Sequence, residues 1–371
     1  MCVNSLKFTF ALLAVGGCWR PSTWTSPIKH KLYNAYALLI ISLMYSFTIT
    51  QFMEAVLNIS SPDDLTDVFY TMVALFSACW KVLNMWVNHE SFADLIQGLT
   101  KGTFKPLLSI EIEIQRKFDK TIQNNTKRYF LLIIITFFGH VLVSLMTSFR
   151  KRQLPFRGWV PYNYSSFAIF CFTYGHQYVG IIVSCFIHVA CDSLIVGLLM
   201  NLCCQITILR HRLRAIVNGQ TTLGDCVLQH CHIIKYAYMT NARCTTIISF
   251  QFVASTFLAC SNLFHLSRIT LNATFIILFA YTFCILIQIF IYCWFGNKIK
   301  LMSYHLVDDI FESDWVMLNN KTKKGLLIIM MRAMKPIEFI SAHVINMNLN
   351  SFVALIRTSY SIYNLLVQMQ D

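Results

Sequence analysis

His188 and Asp192 stand four residues apart inside an apolar run, so a helix would carry both on one face. Such a pair suits a metal site or a proton relay. It suits equally a simple polar pair near the end of a long helix, because no third ligand is evident. Lys81 interrupts another apolar run. A charge at membrane depth is expensive, so it has a role, a structural partner, or a route by which it snorkels to the interface. The string motifs of enzymes are missing: GxSxG, HExxH, a P-loop and a strand-flanked GxGxxG. No CxxC pair or His/Cys cluster has zinc-ligand spacing. Most of the 14 cysteines, Cys79, Cys171, Cys185, Cys191, Cys203, Cys204, Cys260, Cys284 and Cys293 among them, sit in or beside apolar runs. There Cys acts as a small hydrophobe. No catalytic residue, metal or cofactor is expected.

Four apolar runs carry mixed aromatic and polar residues toward one end. They are Tyr70 and Val73; Val143, Ser144 and Thr147; Phe170, Tyr174 and Tyr178; and Phe275, Phe279 and Tyr281. A wall of that composition suits a small, mostly apolar ligand with one or two polar groups. Burying roughly 250 Å² of apolar ligand surface would gain about 6 kcal/mol. That corresponds to a Kd on the order of tens of micromolar. The last apolar run carries Ser351, Arg357, Thr358, Ser359, Tyr360, Ser361, Tyr363, Asn364 and Gln368. So many polar groups suit a helix beside protein or water rather than lipid. Leu365 and Met369 are one turn apart on one face. Repeated around an axis, they would form apolar rings that close a pore by dewetting. Gln368, Gln370 and Asp371 would then favour cations at its mouth.

The elements that must position these residues follow from composition. Of 371 residues, 56% are hydrophobic and 13% charged, against roughly 25% charged in a soluble domain. Seven stretches are long enough to cross a bilayer at about 20 residues each. They are Tyr33–Val56, Leu65–Val87, Tyr129–Phe149, a run from Phe167 to Leu209 too long for one crossing, Thr245–Leu266, Leu271–Phe295, and a split seventh. The split one runs from Gly325 to Met334, breaks at Pro336 and resumes from about Asn346 to Met369. The start of the chain, with Lys7 and apolar Phe8–Val15, reads as a short interfacial helix rather than a cleaved signal.

Basic residues orient the bundle. Twenty fall in the N-terminal segment and in alternate loops, from Lys7 through Arg128, Arg210 and Lys298 to Lys324; five, Arg150, Lys151, Arg152, Arg157 and Arg268, fall opposite. The positive-inside rule then puts the N-terminus in the cytosol and, after seven spans, the C-terminus outside. The net charge of +13 reflects this pattern and no nucleic-acid motif accompanies it. Asn58, Asn163 and Asn272 head sequons, one in each outer loop, and are glycosylation candidates; Asn124 and Asn320 head sequons on the inner side. A G-protein-coupled receptor would have its N-terminus outside and would usually carry a DRY-like motif and NPxxY. Neither string is present.

The C-terminal third resembles the insect odorant receptor family. The likeness rests on Tyr292-Cys-Trp-Phe-Gly-Asn297, Phe311-Glu-Ser-Asp-Trp315, Arg332-Ala-Met-Lys-Pro336, and Met347-Asn-Leu-Asn-Ser-Phe352 leading into Arg357-Thr-Ser-Tyr-Ser-Ile-Tyr363. Upstream, Leu154-Pro-Phe-Arg-Gly-Trp-Val-Pro161 resembles the family's second outer loop, and Asp192 to Leu213 the end of its fourth span. The resemblance implies an odorant-binding subunit of a heterotetrameric ligand-gated cation channel, formed with the family's co-receptor in the plasma membrane of an olfactory neuron dendrite. It implies a ligand pocket in the outer halves of spans two, three, four and six. It places the gate on Leu365 and Met369, beside Gln368. The short stretch from Arg214 to Thr240 lacks the co-receptor's large insert, so the likeness is to a tuning subunit. Only Gln368 agrees with the terminal string of the related gustatory receptors.

The expected fold is therefore all-α and polytopic, with seven transmembrane helices. Residues 1–32 form a cytosolic N-terminal segment. Residues 33–209 hold spans one to four with the pocket halves. Residues 210–244 form a cytosolic loop or anchor, and 245–371 hold spans five to seven with the pore helix. The expected partners are the co-receptor, a small volatile and membrane lipid, with no nucleic acid.

Overall fold

The apolar runs fold as helices in the computed structural model, which describes residues 4–21, 23–58, 62–100, 102–341 and 345–368. In chain order the helices are α1 (Lys7–Val15), α2 (Pro27–Leu57), α3 (Pro62–Val87), α4 (His89–Gly98), α5 (Ser109–Ser144), α6 (Phe167–Ala215), α7 (Leu223–Arg268), α8 (Ala273–Tyr304), α9 (Leu306–Phe311), α10 (Asn320–Ala333) and α11 (Leu349–Gln368). Their starts carry ordinary signals. Pro27 opens α2, where a missing N–H costs nothing. Thr222, Asn272 and Asn319 cap α7, α8 and α10 by accepting from the backbone N–H groups of Asp225, Phe275 and Thr322.

Six of the described helices are long and apolar enough to cross a membrane: α2, α3, α5, α6, α7 and α8. The seventh expected span, α11, has 20 residues and so extends about 30 Å. That matches the hydrocarbon thickness, but its serines, asparagine and arginine keep it out of the apolar class. α6 has 49 residues and α7 has 46, which at 1.5 Å per residue is about 70 Å each. More than half of each therefore lies beyond a ~30 Å apolar layer. The sequence reading starts the third span at Tyr129 and the fifth at Thr245. The structure carries the same helices back to Ser109 and Leu223, where the added turns are too polar to cross a membrane yet bury one face, through Ile122 and Thr126 on α5 and Cys226, Ile233, Ala237 and Cys244 on α7.

Packing is densest where α6 meets α7, α8 and α5. From Val189 to Leu209 nearly every α6 side chain is buried, so the second half of the overlong fourth run is the core of the molecule. α1 packs into the bundle. Leu6, Leu12 and Leu13 are buried against α5 and α6. Gly197 makes the space, since a Cβ there would lie 2.4 Å from Leu6 Cδ2. Arg212, 2% exposed, ties this end together. Its Nε and Nη2 donate to the two Glu111 carboxylate oxygens at 2.7 Å each, Nη1 donates to Gln229 Oε1 at 3.1 Å, and Nη2 also donates to the Lys105 carbonyl at 3.0 Å.

Between α10 and α11 the chain makes a short antiparallel pair, Ile340–Ser341 with Ile345–Asn346. Among the described residues every cysteine is a free thiol.

Candidate ligand cavity

An internal cavity of about 220 Å³ lies between α3, α5, α6, α7 and α8. Each helix contributes a stripe at helical spacing. α3 gives Tyr70, Thr71, Ala74 and Ser77; α5 gives Tyr129, Ile133, Thr136, Phe137 and His140; α6 gives Ile181, Ser184, Cys185 and His188; α8 gives Thr274, Ile277, Leu278, Tyr281, Cys284, Ile285 and Gln288. Residues three, four and seven apart face the same way, so the wall is the inward face of four helices. α7 adds Gln251, Leu258 and His265.

One wall residue comes from a loop. Phe156, in the stretch between α5 and α6, stacks on His140 with ring centroids 5.0 Å apart and planes within 6°. Gln177 holds it from both sides of its peptide. The side-chain Nε2 donates to the Phe156 carbonyl at 3.0 Å, and Oε1 accepts from the Phe156 N–H at 3.2 Å. Gln51 Nε2 donates to the Arg157 carbonyl at 2.5 Å, and Trp159 N–H donates to the Thr50 carbonyl at 3.1 Å. The loop is thus fastened over the cavity by α2 and α6.

The floor is a continuous polar network. Ser77 donates to Gln251 Oε1 at 3.0 Å, and Gln251 Nε2 donates to Gln288 Oε1 at 3.0 Å. Gln288 Nε2 donates to Asp192. Asp192 also receives Lys81 Nζ at 2.5 Å, Tyr292 OH at 2.6 Å and Tyr129 OH at 3.3 Å. Lys81 Nζ reaches His188 Nδ1 at 2.9 Å, and the opposite ring nitrogen of His188 meets the Ala74 carbonyl at 3.2 Å. A neutral imidazole, accepting from Lys81 and donating to Ala74, satisfies both contacts.

Lys81 is therefore paired rather than snorkelling, and it is 1% exposed. His188 and Asp192 share the expected face, but their partners are a lysine, two tyrosines, a glutamine and a carbonyl. Among the described residues no three His, Cys, Asp or Glu side chains are grouped to hold a metal.

The network's polar atoms point at one another, leaving the cavity itself mainly apolar. Ser184 and Tyr281 line it with hydroxyls that make no hydrogen bond among the described residues, and Thr71 is a further case. Its hydroxyl is buried, 2% exposed as a residue, and without a hydrogen-bond partner.

Of the residues selected from sequence, Tyr70 and Tyr281 line the cavity, their rings 6.3 Å apart. Tyr178 stands behind the wall, its hydroxyl 3.3 Å from His140 Nδ1. Ser144 and Tyr174 bond each other at 2.9 Å and, with Phe170 and Phe149, build an aromatic cluster toward the ends of α5 and α6. Val73, Val143 and Phe275 are half-buried outside the lining, Thr147 is exposed, and Phe279 is 58% exposed on the outer face of α8. Sequence reasoning missed Thr71, Ser77, His140, Phe156, His188, Gln251 and Gln288 as cavity groups. The signal was present: polar residues recurring every three or four positions through apolar runs.

On α11, Leu355 and Ser359 face α7 and α8, with Ser359 donating to the Thr256 carbonyl at 3.3 Å. The opposite face leaves Val353, Ile356, Tyr360, Ser361, Leu365 and Gln368 exposed. Met369 lies outside the described residues, as do Gln370 and Asp371. Asn58 bonds Glu54 at 2.7 Å, Asn163 accepts from Ser165, and Asn272 serves as a cap.

A family described as 7tm Odorant receptor matches residues 61–360. The chain belongs to the odorant receptor family. Odorant receptor 10 of Aedes albopictus is 25% identical to this receptor over 370 residues, covering 94% of each chain. Odorant receptor 94a of Drosophila melanogaster is 21% identical over 388 residues, covering 100% of this chain and 98% of its own. The solved structure of the insect olfactory receptor OR5 from Machilis hrabei, in complex with eugenol, superposes with a TM-score of 0.86 at 16% identity, covering 98% of this chain and 97% of that one. The receptor is thus a multi-pass, all-α membrane protein with that fold, and not an enzyme.

Proposed function

We propose that the cavity is the odorant site, and that the receptor is the odorant-binding subunit of a cation channel assembled with the family co-receptor. The cavity carries the reading. Its size is below the ~300–1,000 Å³ typical of sites for drug-sized ligands, which suits a small volatile. Its wall is aromatic and aliphatic, and Thr71 offers one unused hydroxyl. The relative of the same fold from Machilis hrabei holds eugenol, which supports a small-molecule ligand here.

An odorant opens the channel only if it binds the open arrangement better than the closed one. α8 links the two regions, since it lines the cavity and also packs on α11. The exposed side of α11, where Arg357, Thr358, Ser361 and Gln368 stand open beside apolar residues, suits a pore wall completed by neighbouring subunits, with Leu365 and Met369 as its gate and Gln368 near its outer mouth. The charge pattern supports a cytosolic N-terminus and an outer C-terminus. That orientation would expose Asn58, Asn163 and Asn272 to glycosylation and fits the plasma membrane of a sensory dendrite.

Cation current recorded with the co-receptor, with and without this chain, tests the proposal across a panel of volatiles. The expected result is a set of volatiles that evoke current only when the chain is present, with ligand-free leak raised in the Leu365→Ser/Met369→Ser variant. An identical panel response from the co-receptor alone would overturn it.

A further inference from the structure

A second cavity, of about 350 Å³, lies beyond the polar floor, between α5, α6 and α8. It has no share in the odorant reading, although Tyr129 and Gln288 line both spaces. Its inner wall is largely aliphatic, from Leu132, Val196, Ile287 and Ile291. Two lining residues are exposed, Arg128 on α5 and Trp294 on α8, the latter 47%. The space therefore opens out of the bundle between α5 and α8.

The charges at that opening have one sign. Arg128 lines it, its neighbour Lys127 is exposed, and Lys298 lies one turn past Trp294 on α8. Among the described residues neither Arg128 nor Lys298 has an ion-pair partner. Asp192, the one carboxylate in the lining, is already neutralised by Lys81 and bonded by Tyr292, Tyr129 and Gln288. The polar groups beside Arg128 are Asn125 and Thr126. The Asn125 amide donates only to the Met200 thioether, at 3.7 Å. An exposed indole toward the end of an apolar helix suits headgroup level, and this is the end of the bundle where the basic residues gather.

We infer that this cavity binds an anionic amphiphile, its alkyl chain along the aliphatic wall and its carboxylate, that of a serine-headed phospholipid or of a free fatty acid, on Arg128 and Asn125. Arg suits such a head because its fork meets two oxygens at once. A phospholipid of the surrounding leaflet and a free fatty acid share this chemistry.

The test uses the full-length chain in detergent, offered dioleoyl phosphatidylserine, dioleoyl phosphatidylcholine or oleate, with retained ligand read by native mass spectrometry. Retention of phosphatidylserine identifies a lipid source and retention of oleate a fatty-acid source. Either, at no less than tenfold over phosphatidylcholine, supports the site. Arg128→Gln should remove that preference, Arg128→Lys should keep most of it, and Ile291→Trp should block retention with the melting midpoint unchanged. Equal retention of phosphatidylcholine, no retention of any of the three, or indifference to both Arg128→Gln and Ile291→Trp would overturn it.

Discussion

Lys81 and Asp192 sit on different helices and are almost fully shielded, with 1% and 5% of their side chains exposed. A buried pair gains little over apolar packing, yet breaking it from one side costs about 3–5 kcal/mol because a charge is stranded. Lys81→Met should therefore lower the thermal midpoint and the surface abundance of the receptor sharply. Lys81→Met/Asp192→Asn, which keeps an oxygen for Tyr292, should recover most of the loss. A double variant as unstable as the single would show that the charge pair itself is needed. Thr71 makes a different kind of prediction. A ligand oxygen that pairs with its hydroxyl gains about 0.5–1.5 kcal/mol, or roughly two- to tenfold. Thr71→Val should weaken the response to oxygenated volatiles by that factor and leave hydrocarbon analogues unchanged. Equal shifts for both ligand sets would mean the hydroxyl faces no ligand.

At the scale of elements, the family motif at the end of α8 has a physical reading. Tyr292 donates to Asp192, Cys293 is wholly buried, and a Cβ at Gly296 would lie 2.4 Å from the Met347 carbonyl oxygen. Only glycine lets the segment before α11 approach so closely. In the loop over the cavity, the Phe156 peptide is held by one side chain. Gln177→Ala removes both hydrogen bonds to the Phe156 peptide and should raise the half-maximal odorant concentration several-fold at normal surface abundance. An unchanged dose–response curve would show that the loop holds without the clamp. The spans were legible because continuous apolar runs leave few alternatives. The first five turns of α5 and the first half of α7 were not, since Ser109–Arg128 and Leu223–Cys244 are too polar to stand out as spans and their buried faces mix apolar with polar residues. The cavity was half legible. Tyr70 and Tyr281 belong to inward stripes, whereas Phe279 and Thr147 drew notice as aromatic or polar residues although their helical phase turns them outward. Lys81 and Asp192 were each conspicuous, but 111 positions separate them, and no local pattern joins two helices.

Across the whole molecule, one core of long helices does two things. α6 anchors the basic end, through Arg212 and the buried run from Val189 to Leu209. Toward the other end, α3, α5, α6 and α8 part around a small apolar cavity. The floor between the two regions is the Lys81–Asp192 network, which touches α3, α5, α6 and α8 at once. Of the helices that line the cavity above it, α7 and α8 also pack against α11. Whether odorant occupies this cavity is read from dose–response currents of two variants at matched surface abundance. Ser184→Phe places a ring inside the cavity and should abolish the evoked current, while Phe279→Ala on the outward face of α8 should leave it intact. A full response from Ser184→Phe, with loss on Phe279→Ala, would put the odorant outside this cavity.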